Sequence, residues 1–254
     1  MHVLLTGASS GIGEAMAKHF ATLGWSLTLA ARREAKLNEI AANLDVKTFV
    51  RCTDLSNTDD CENLILEAQD ALGPIDVLVN NAGVQFVEEA ASVSPERIDM
   101  LMRVDLLSPL HLIHYVLPSM LKRGQGTIVN VASMAGITPT PGMMHYNAAK
   151  AGLAAASESL RVEIKASGVN VFTVYPGPVR SPMEDVARQN YEESFAAKHA
   201  PMGEPEILAK KIAKGIEKKH ARLFYPSSYQ VARYTRVVSQ WVTDTFSPKL
   251  VAKD

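Results

Sequence analysis

The sequence predicts an α/β fold: one doubly wound parallel sheet of about seven strands with helices on both faces. Three observations carry that expectation. Short β-branched or aliphatic runs alternate with longer amphipathic stretches along the chain, the pattern of repeated βαβ units. Seven such short runs are separated by stretches long enough for right-handed helical crossovers. The glycine-rich and polar motifs fall at strand ends or helix starts, where ligands of open α/β sheets bind. No linker, internal repeat or low-complexity segment interrupts the pattern, so residues 1–254 are read as a single domain.

The elements follow in order. Strand candidates lie at 3–6, 26–31, 46–51, 75–80, 127–132, 169–175 and 221–225, each a short aliphatic run. Helices are expected near 12–23, 34–43, 57–72, 95–123, 145–167 and 205–219. Ser56 and Ser94 stand where N-caps belong, and Pro95 sits just inside its helix. Gly24, Gly73 and Gly168 follow helices where a left-handed cap residue is expected. Residues 227–254 lie beyond the last strand as a C-terminal extension. There Tyr229, Arg233, Arg236, Trp241 and Phe246 mix aromatic and basic character in a further helix. That helix could cover a pocket, pack on a partner subunit or touch a membrane surface, and burial on the protein is the commonest outcome.

Composition narrows the function classes. Hydrophobic residues make up 47% and charged residues 21%, enough to bury a sizeable core. With 26 Lys and Arg against 27 Asp and Glu, the formal net charge is −1, so no global charge points to nucleic acid or an anionic membrane. The two cysteines, Cys52 and Cys61, form no C-x-x-C motif and have no His-rich companion, so free buried thiols in a reducing compartment are expected and no metal site. The apolar run at 3–5 is too short for a secretory signal, and no run of about 18 apolar residues marks a transmembrane segment. A soluble cytoplasmic protein is the expectation.

The segment Thr6-Gly7-Ala8-Ser9-Ser10-Gly11-Ile12-Gly13 follows the first strand and opens the first helix. Glycines let the backbone turn tightly against a pyrophosphate, and the helix start offers free N–H donors with the positive end of its dipole. The second strand ends in Ala30-Ala31-Arg32-Arg33, without the carboxylate that would hold the ribose 2′-hydroxyl of NAD. Guanidinium groups suit a 2′-phosphate, which points to NADP(H); a solvated basic pair starting a helix is the plainer reading.

Tyr146 and Lys150 are four residues apart, so they project from one helix face. Exchange of hydride between nicotinamide and a carbonyl or alcohol needs a proton partner. Free tyrosine, with a pKa of about 10, is a poor base near neutrality. A nearby ammonium favours the phenolate. Ser133, just past the fifth strand, can donate to the substrate oxygen. A Y-x-x-x-K spacing alone is common in helices; its weight here comes from lying downstream of a phosphate loop and a strand-end serine.

Taken together, the chain resembles the short-chain dehydrogenase/reductase family, a Rossmann-type fold. The likeness runs through TGASSGIG at 6–13, Asp54-Leu55, NNAG at 80–83, Ser133, Y-x-x-x-K at 146–150 and PGPVRS at 176–181, and spans at least residues 3–225. The resemblance implies that Ser133, Tyr146 and Lys150 are the catalytic serine, tyrosine and lysine, with Lys150 also holding the nicotinamide ribose. It implies that Gly7, Ser9, Ser10, Gly11, Ile12 and Gly13 bind the pyrophosphate, and that Arg32 marks NADP preference, with Arg33 beside it. Asp54 would bond the adenine beside Leu55. Asn81, Ala82 and Gly83 would pack on the adenosine ribose, and Pro176, Gly177, Val179 and Ser181 would cradle the nicotinamide. Homodimers or homotetramers paired through the helices near 95–123 and 145–167 are usual in the family.

One departure stands out. Where the family often has a fourth catalytic residue, an asparagine, this chain has Asp105, in the stretch Arg103-Val104-Asp105-Leu106-Leu107. Aspartate removes an amide donor and could place a charge near Lys150, altering the proton relay. Equally, it could cap local backbone. Asp105 is also the one feature that favours the alternative of a nucleotide-binding regulatory protein with weak or no turnover. Met134, Met143, Met144, Met183 and Met202 flank the motifs or follow them; methionine fills adaptable apolar sites, so a roomy apolar pocket is one reading, and core packing explains some of them at least as well. A small-molecule carbonyl or alcohol of apolar character is the expected substrate, its identity open; Arg180 alone is too little for an acidic one.

Overall fold

The computed structural model describes residues 1–57, 59–192 and 201–231, with Thr235, Trp241, Thr245, Leu250 and Val251. The first half alternates strictly: β1 His2–Thr6, α1 Gly11–Thr22, β2 Ser26–Ala31, α2 Glu34–Ala42, β3 Thr48–Cys52, α3 Asp59–Leu72 and β4 Val77–Asn80. A long helical run follows, made of α4 Pro95–Met102, a π-helical segment Arg103–Leu107 and α5 Ser108–Arg123. Then come β5 Gly126–Val131, α6 Met144–Glu163, β6 Val169–Pro176, α7 Pro182–Arg188, α8 Pro205–Glu217 and β7 Arg222–Tyr225.

The described strands form one seven-stranded sheet in the order β3-β2-β1-β4-β5-β6-β7. Every pairing is parallel. The chain builds outward from β1 to one edge, then returns to lay β4 on the other side of β1. The strand order therefore reverses between β1 and β4, and the crevice at their carboxyl ends is the binding position of such sheets.

Parallel strands covered on both faces must be apolar on both faces, and the period of two assigns each side chain to one of two cores. Val3 and Leu5 of β1, Val77 and Val79 of β4, and Val129 and Val131 of β5 pack with α1, α2 and α8. The alternate residues Leu4, Leu78 and Ile128 pack with α3 and α5 on the opposite face. Gly24, Gly73 and Gly168 take positive φ of 74°, 82° and 82°, as their places after helices require.

The differences from the sequence reading have local causes. Ser56 does not cap a helix, because α3 starts at Asp59; its amide and hydroxyl instead donate to Asp54 Oδ1, closing a turn. The sixth predicted helix-and-strand junction hides α7, a short helix N-capped by Ser181, which accepts from the Glu184 amide. Helix 145–167 ends at Glu163, and the chain turns through 164–167 before Gly168. The helical run 95–123 contains an 18-residue stretch of mean hydropathy 1.2, long and apolar enough to cross a membrane by length and composition. Leu112, Val116 and Met120 are buried against the sheet and Leu101 beside Tyr146, so core packing accounts for part of that composition. Arg233, Arg236 and Phe246 lie outside the described residues, whereas Trp241 is exposed. Both cysteines are free thiols, but only Cys61 is buried as expected; Cys52 is exposed at the end of the edge strand β3. Among the described residues no group of three or more His, Cys, Asp or Glu is placed to hold a metal.

Candidate active site

The glycine loop sits at the reversal point of the sheet. Gly7 and Gly11 have φ of 66° and 56°, the left-handed region that glycine adopts at least cost. A Cβ on Gly7 would stand 2.8 Å from the Ala82 Cα, and one on Gly13 would overlap the Gly7 carbonyl. The loop can therefore be this tight only with glycine at both positions. Ser10 is the N-cap of α1 but makes no side-chain capping bond, which leaves the first amides of the helix to an outside anion. That bare cradle, with a helix dipole behind it, fits a pyrophosphate.

One hydroxyl ties this loop to the next strand end. Thr6 Oγ1 donates to the Val79 carbonyl at 3.2 Å and accepts from the amides of Asn81 and Ala82, each at 3.0 Å. Asn81 Nδ2 returns a bond to the Thr6 carbonyl at 2.9 Å. The two basic residues after β2 diverge. Arg33 bends over the loop, its guanidinium bonding the Ser9 hydroxyl and carbonyl and the Ser10 hydroxyl. Arg32 stays exposed, and its charge helps the Ser56 amide hold Asp54 below the usual carboxylate range. Leu55 is buried beside Asp54.

The polar centre lies beyond Asn81-Ala82-Gly83. Ser133 lies two residues past β5 and N-caps a short 3₁₀ turn by accepting from the Ala135 amide at 3.1 Å. Tyr146 and Lys150 come off one face of α6, and both are buried. Lys150 Nζ donates to the Val131 carbonyl at 3.2 Å and lies 5.7 Å from the centre of the Tyr146 ring. Asp105, fully buried in the π-helical segment, places Oδ2 3.2 Å from Lys150 Nζ. Its other oxygen accepts from the Val84 amide at 2.7 Å. Asp105 thus does both things left open by the sequence, since it holds backbone and faces the lysine.

Electrostatics follow from this packing. Burial pushes the Tyr146 phenol above the ordinary tyrosine value; Lys150 and a Ser133 hydrogen bond oppose it, while Asp105 and Glu184 add to it. Burial disfavours the Lys150 ammonium, but the charges of Asp105 and Tyr146 outweigh it and hold the lysine above its usual value. Chemically, the group can give a proton to, or take one from, an oxygen placed between Ser133 and Tyr146.

Across the crevice, Pro176 ends β6, Gly177 donates to the Tyr225 carbonyl at 2.7 Å, and Val179 bridges to Gly203. A Cβ on Gly11 would lie 3.2 Å from the Ser181 Cβ, so this segment meets the glycine loop across the crevice. The methionines divide between the two readings. Of the five methionines only Met143 packs with Tyr146, together with Val87, Leu101 and Ala187 and the partly buried Val84, Phe86, Tyr191 and Leu250. Met134 joins a separate cluster behind the strand, and Met144 and Met183 are exposed. Glu184, Tyr191 and Leu250 were not foreseen, because no local motif marks residues that reach a site only by long-range packing.

Comparison with known proteins agrees with this architecture. A family model described as short chain dehydrogenase matches residues 1–192. An oxidoreductase of Staphylococcus epidermidis is 36% identical over 182 residues, 72% of this chain and 79% of the relative. A short-chain dehydrogenase from Sphingobium yanoikuyae in complex with NADPH superposes with a TM-score of 0.81 at 27% identity, covering 99% of this chain and 98% of that one. The 3-ketoacyl-(acyl-carrier-protein) reductase from Brucella melitensis, complexed with NADH, gives 0.80 at 25% identity, covering 88% and 96%. The chain belongs to the short-chain dehydrogenase family, and with it is an oxidoreductase that moves a hydride between a nicotinamide cofactor and a carbonyl or alcohol.

Proposed function

We propose that this enzyme uses NADP(H), with Tyr146 as general acid/base, Lys150 and Ser133 as its partners, and a small apolar carbonyl or alcohol as substrate. The observation that carries the reading is the convergence of Ser133, Tyr146 and Lys150 at the buried end of β5, beside a bare glycine cradle.

The bound nicotinamide supplies or accepts the hydride. In the reductive direction the Ser133 hydroxyl donates to the substrate carbonyl, and the Tyr146 O–H gives its proton to the oxygen as negative charge develops there. The Lys150 ammonium steadies the phenolate left behind and offers the ribose hydroxyls a donor. In oxidation the phenolate takes the alcohol proton. Gly7 through Gly13 and the start of α1 receive the pyrophosphate, and Arg33 fixes the loop through Ser9 and Ser10. Asn81, Ala82 and Gly83 flank the adenosine ribose, Asp54 and Leu55 the adenine, and residues 176–181 the nicotinamide.

Because the compared structures carry NADPH in one case and NADH in another, the fold alone does not choose the cofactor. Exposed Arg32, at a strand end without a carboxylate, favours the 2′-phosphate. NADPH is expected to bind about tenfold more tightly than NADH or better, as one charged hydrogen-bonding group allows, and Arg32→Asp should narrow or reverse that order. Equal dissociation constants in the unmodified protein would sink the assignment.

The substrate wall includes this chain's own C-terminal segment. Leu250 bridges Tyr191, Val251 donates to the Asn190 carbonyl at 3.1 Å, and a Cβ on Gly142 would meet Leu250 Cδ2 at 2.6 Å. Leu250→Ala should raise kcat/KM for ketones with longer alkyl groups relative to short ones by about tenfold, the usual weight of a few methylenes. An unchanged ratio across an alkyl-ketone series would remove Leu250 from the wall. These contacts also support reading 1–254 as one unit, with 227–254 as its extension. Free thiols favour a cytoplasmic location. Exposed Leu107, Leu121 and Val162 on the outer helices favour a homodimer or homotetramer.

A further inference from the structure

We infer that Asp105 is a positioning residue that sets the working direction: its buried ion pair with Lys150 withholds the lysine's charge from Tyr146, keeps the phenol protonated at neutral pH, and fits the enzyme to carbonyl reduction. The inference rests on the reading of Tyr146 as acid/base given above.

The pair is built to persist. Asp105 and Lys150 are 0% and 4% exposed, so water cannot screen the one from the other. The Val84 amide holds Oδ1 at 2.7 Å, which fixes the carboxylate with Oδ2 towards the ammonium. Gly83 leaves the necessary room: a Cβ there would stand 3.0 Å from Oδ2 and 3.4 Å from Nζ, wedging the pair. The π-helical segment supplies the register, since it places a buried side chain where the flanking α-helical turns alone would shift it.

The charges that face Tyr146 come from three elements. Lys150 shares its helix, Asp105 reaches it from the π segment, and Glu184 from α7. Glu184 is itself paired with Arg188 at 2.8 Å, and Ser133 contributes a neutral hydroxyl. With asparagine at 105 the phenol would face one uncompensated ammonium and would ionise more readily. With aspartate that ammonium is matched by a carboxylate at 3.2 Å, nearer than the 5.7 Å to the tyrosine ring centre. Lys150 stays charged, as ribose binding needs, yet Asp105 offsets part of its pull on Tyr146, whose phenol burial already holds in the neutral form. A protonated phenol is the form that gives a proton to an alkoxide. The phenolate required for alcohol oxidation forms only in more alkaline solution, and solvent returns the proton after each reduction.

The main readout needs no substrate. The ultraviolet absorbance of tyrosinate is followed through a pH titration of the unmodified protein and of Asp105→Asn, with Tyr146→Phe subtracted to remove the other tyrosines. Asparagine keeps an oxygen for the Val84 amide, so a purely structural role would leave the curve in place. The Tyr146 component of the unmodified protein should stay protonated to at least the ordinary value of about 10, and in Asp105→Asn it should move down by about one unit or more. With any alcohol the enzyme oxidises, the basic limb of the rate profile should move with it, raising neutral-pH oxidation about tenfold per unit. Ionisation of Tyr146 near neutrality in the unmodified protein overturns the inference even if Asp105→Asn fails to fold, and so does an identical titration in both proteins. If Tyr146→Phe is inactive while the titrations coincide, only the directional role falls. If Tyr146→Phe keeps its turnover, the acid/base assignment itself has failed.

Discussion

Tyr146→Phe is expected to lower turnover by about two orders of magnitude or more, the usual contribution of a general acid/base, while leaving fold and NADPH affinity intact. The change removes one oxygen from a side chain packed among Val87, Leu101, Met143 and Ala149, so the apolar contacts of the ring remain. The hydroxyl it removes faces Ser133 and the charges of Lys150 and Asp105, not the glycine loop. Binding should therefore survive, measured by NADPH fluorescence, and KM should change far less than kcat. Near-normal turnover in a folded Tyr146→Phe protein would place the proton donor elsewhere.

The second large effect is on stability as well as activity. Lys150→Met keeps an unbranched chain of similar length but leaves Asp105 buried opposite a thioether. Breaking a buried ion pair from one side costs about 3–5 kcal/mol, so a large fall in unfolding midpoint is expected together with loss of turnover. The pH dependence has a definite sign. Burial already raises the Asp105 carboxyl above its ordinary value, with the Lys150 charge and the Val84 amide opposing, and the variant loses the first of these opponents. A carboxyl whose folded pKa is raised stabilises the fold when protonated, so that contribution is full below the unfolded value of about 3.9. It is lost as pH rises through the elevated folded value. Lys150→Met should thus gain stability relative to the unmodified protein on mild acidification, read as a narrowing difference in denaturant midpoint. Removing Asp105 as well, in Lys150→Met with Asp105→Asn, should recover part of the loss. A difference that is flat with pH would mean the carboxylate carries no charge worth compensating.

Much of the architecture was legible because the inner strands are apolar on both faces. β2 was expected at 26–31 and is found there, since its buried run ends abruptly at the exposed Arg32. The edge strand β3 was displaced, from 46–51 to Thr48–Cys52, because its residues are only partly buried and leave no sharp periodic signal. β4 was expected from residue 75, but ladder pairing starts at Val77 although Ile75 is already buried. Continuous amphipathic periodicity over 95–123 foretold a helix but not its π-helical insertion, the segment that carries Asp105 to Lys150.

The site divides in the same way. Tyr146 and Lys150 could be paired from sequence because a four-residue spacing fixes one helix face, and the glycine loop because its spacing and its strand-turn-helix setting are local. The Asp105 carboxylate could be placed near Lys150 only as one of two readings. Its second bond, to the Val84 amide, joins positions 21 apart and has no sequence signature. Tyr191 and Leu250 meet across a still longer stretch of chain. Met144 and Met183 read as pocket residues by proximity to the motifs, yet neighbours in sequence point to opposite sides of a helix or loop, and these two face outward.

The measurement that tests the central assignment most directly is the fall in NADPH absorbance when purified protein is offered a panel of aliphatic and aromatic ketones and aldehydes, run side by side with Tyr146→Phe. The account predicts that at least one carbonyl is reduced at neutral pH by the unmodified protein and that the same compound is reduced about a hundredfold more slowly, or less, by the variant. Equal rates in the two proteins, or a folded, NADPH-binding protein that reduces no member of the panel, would contradict it.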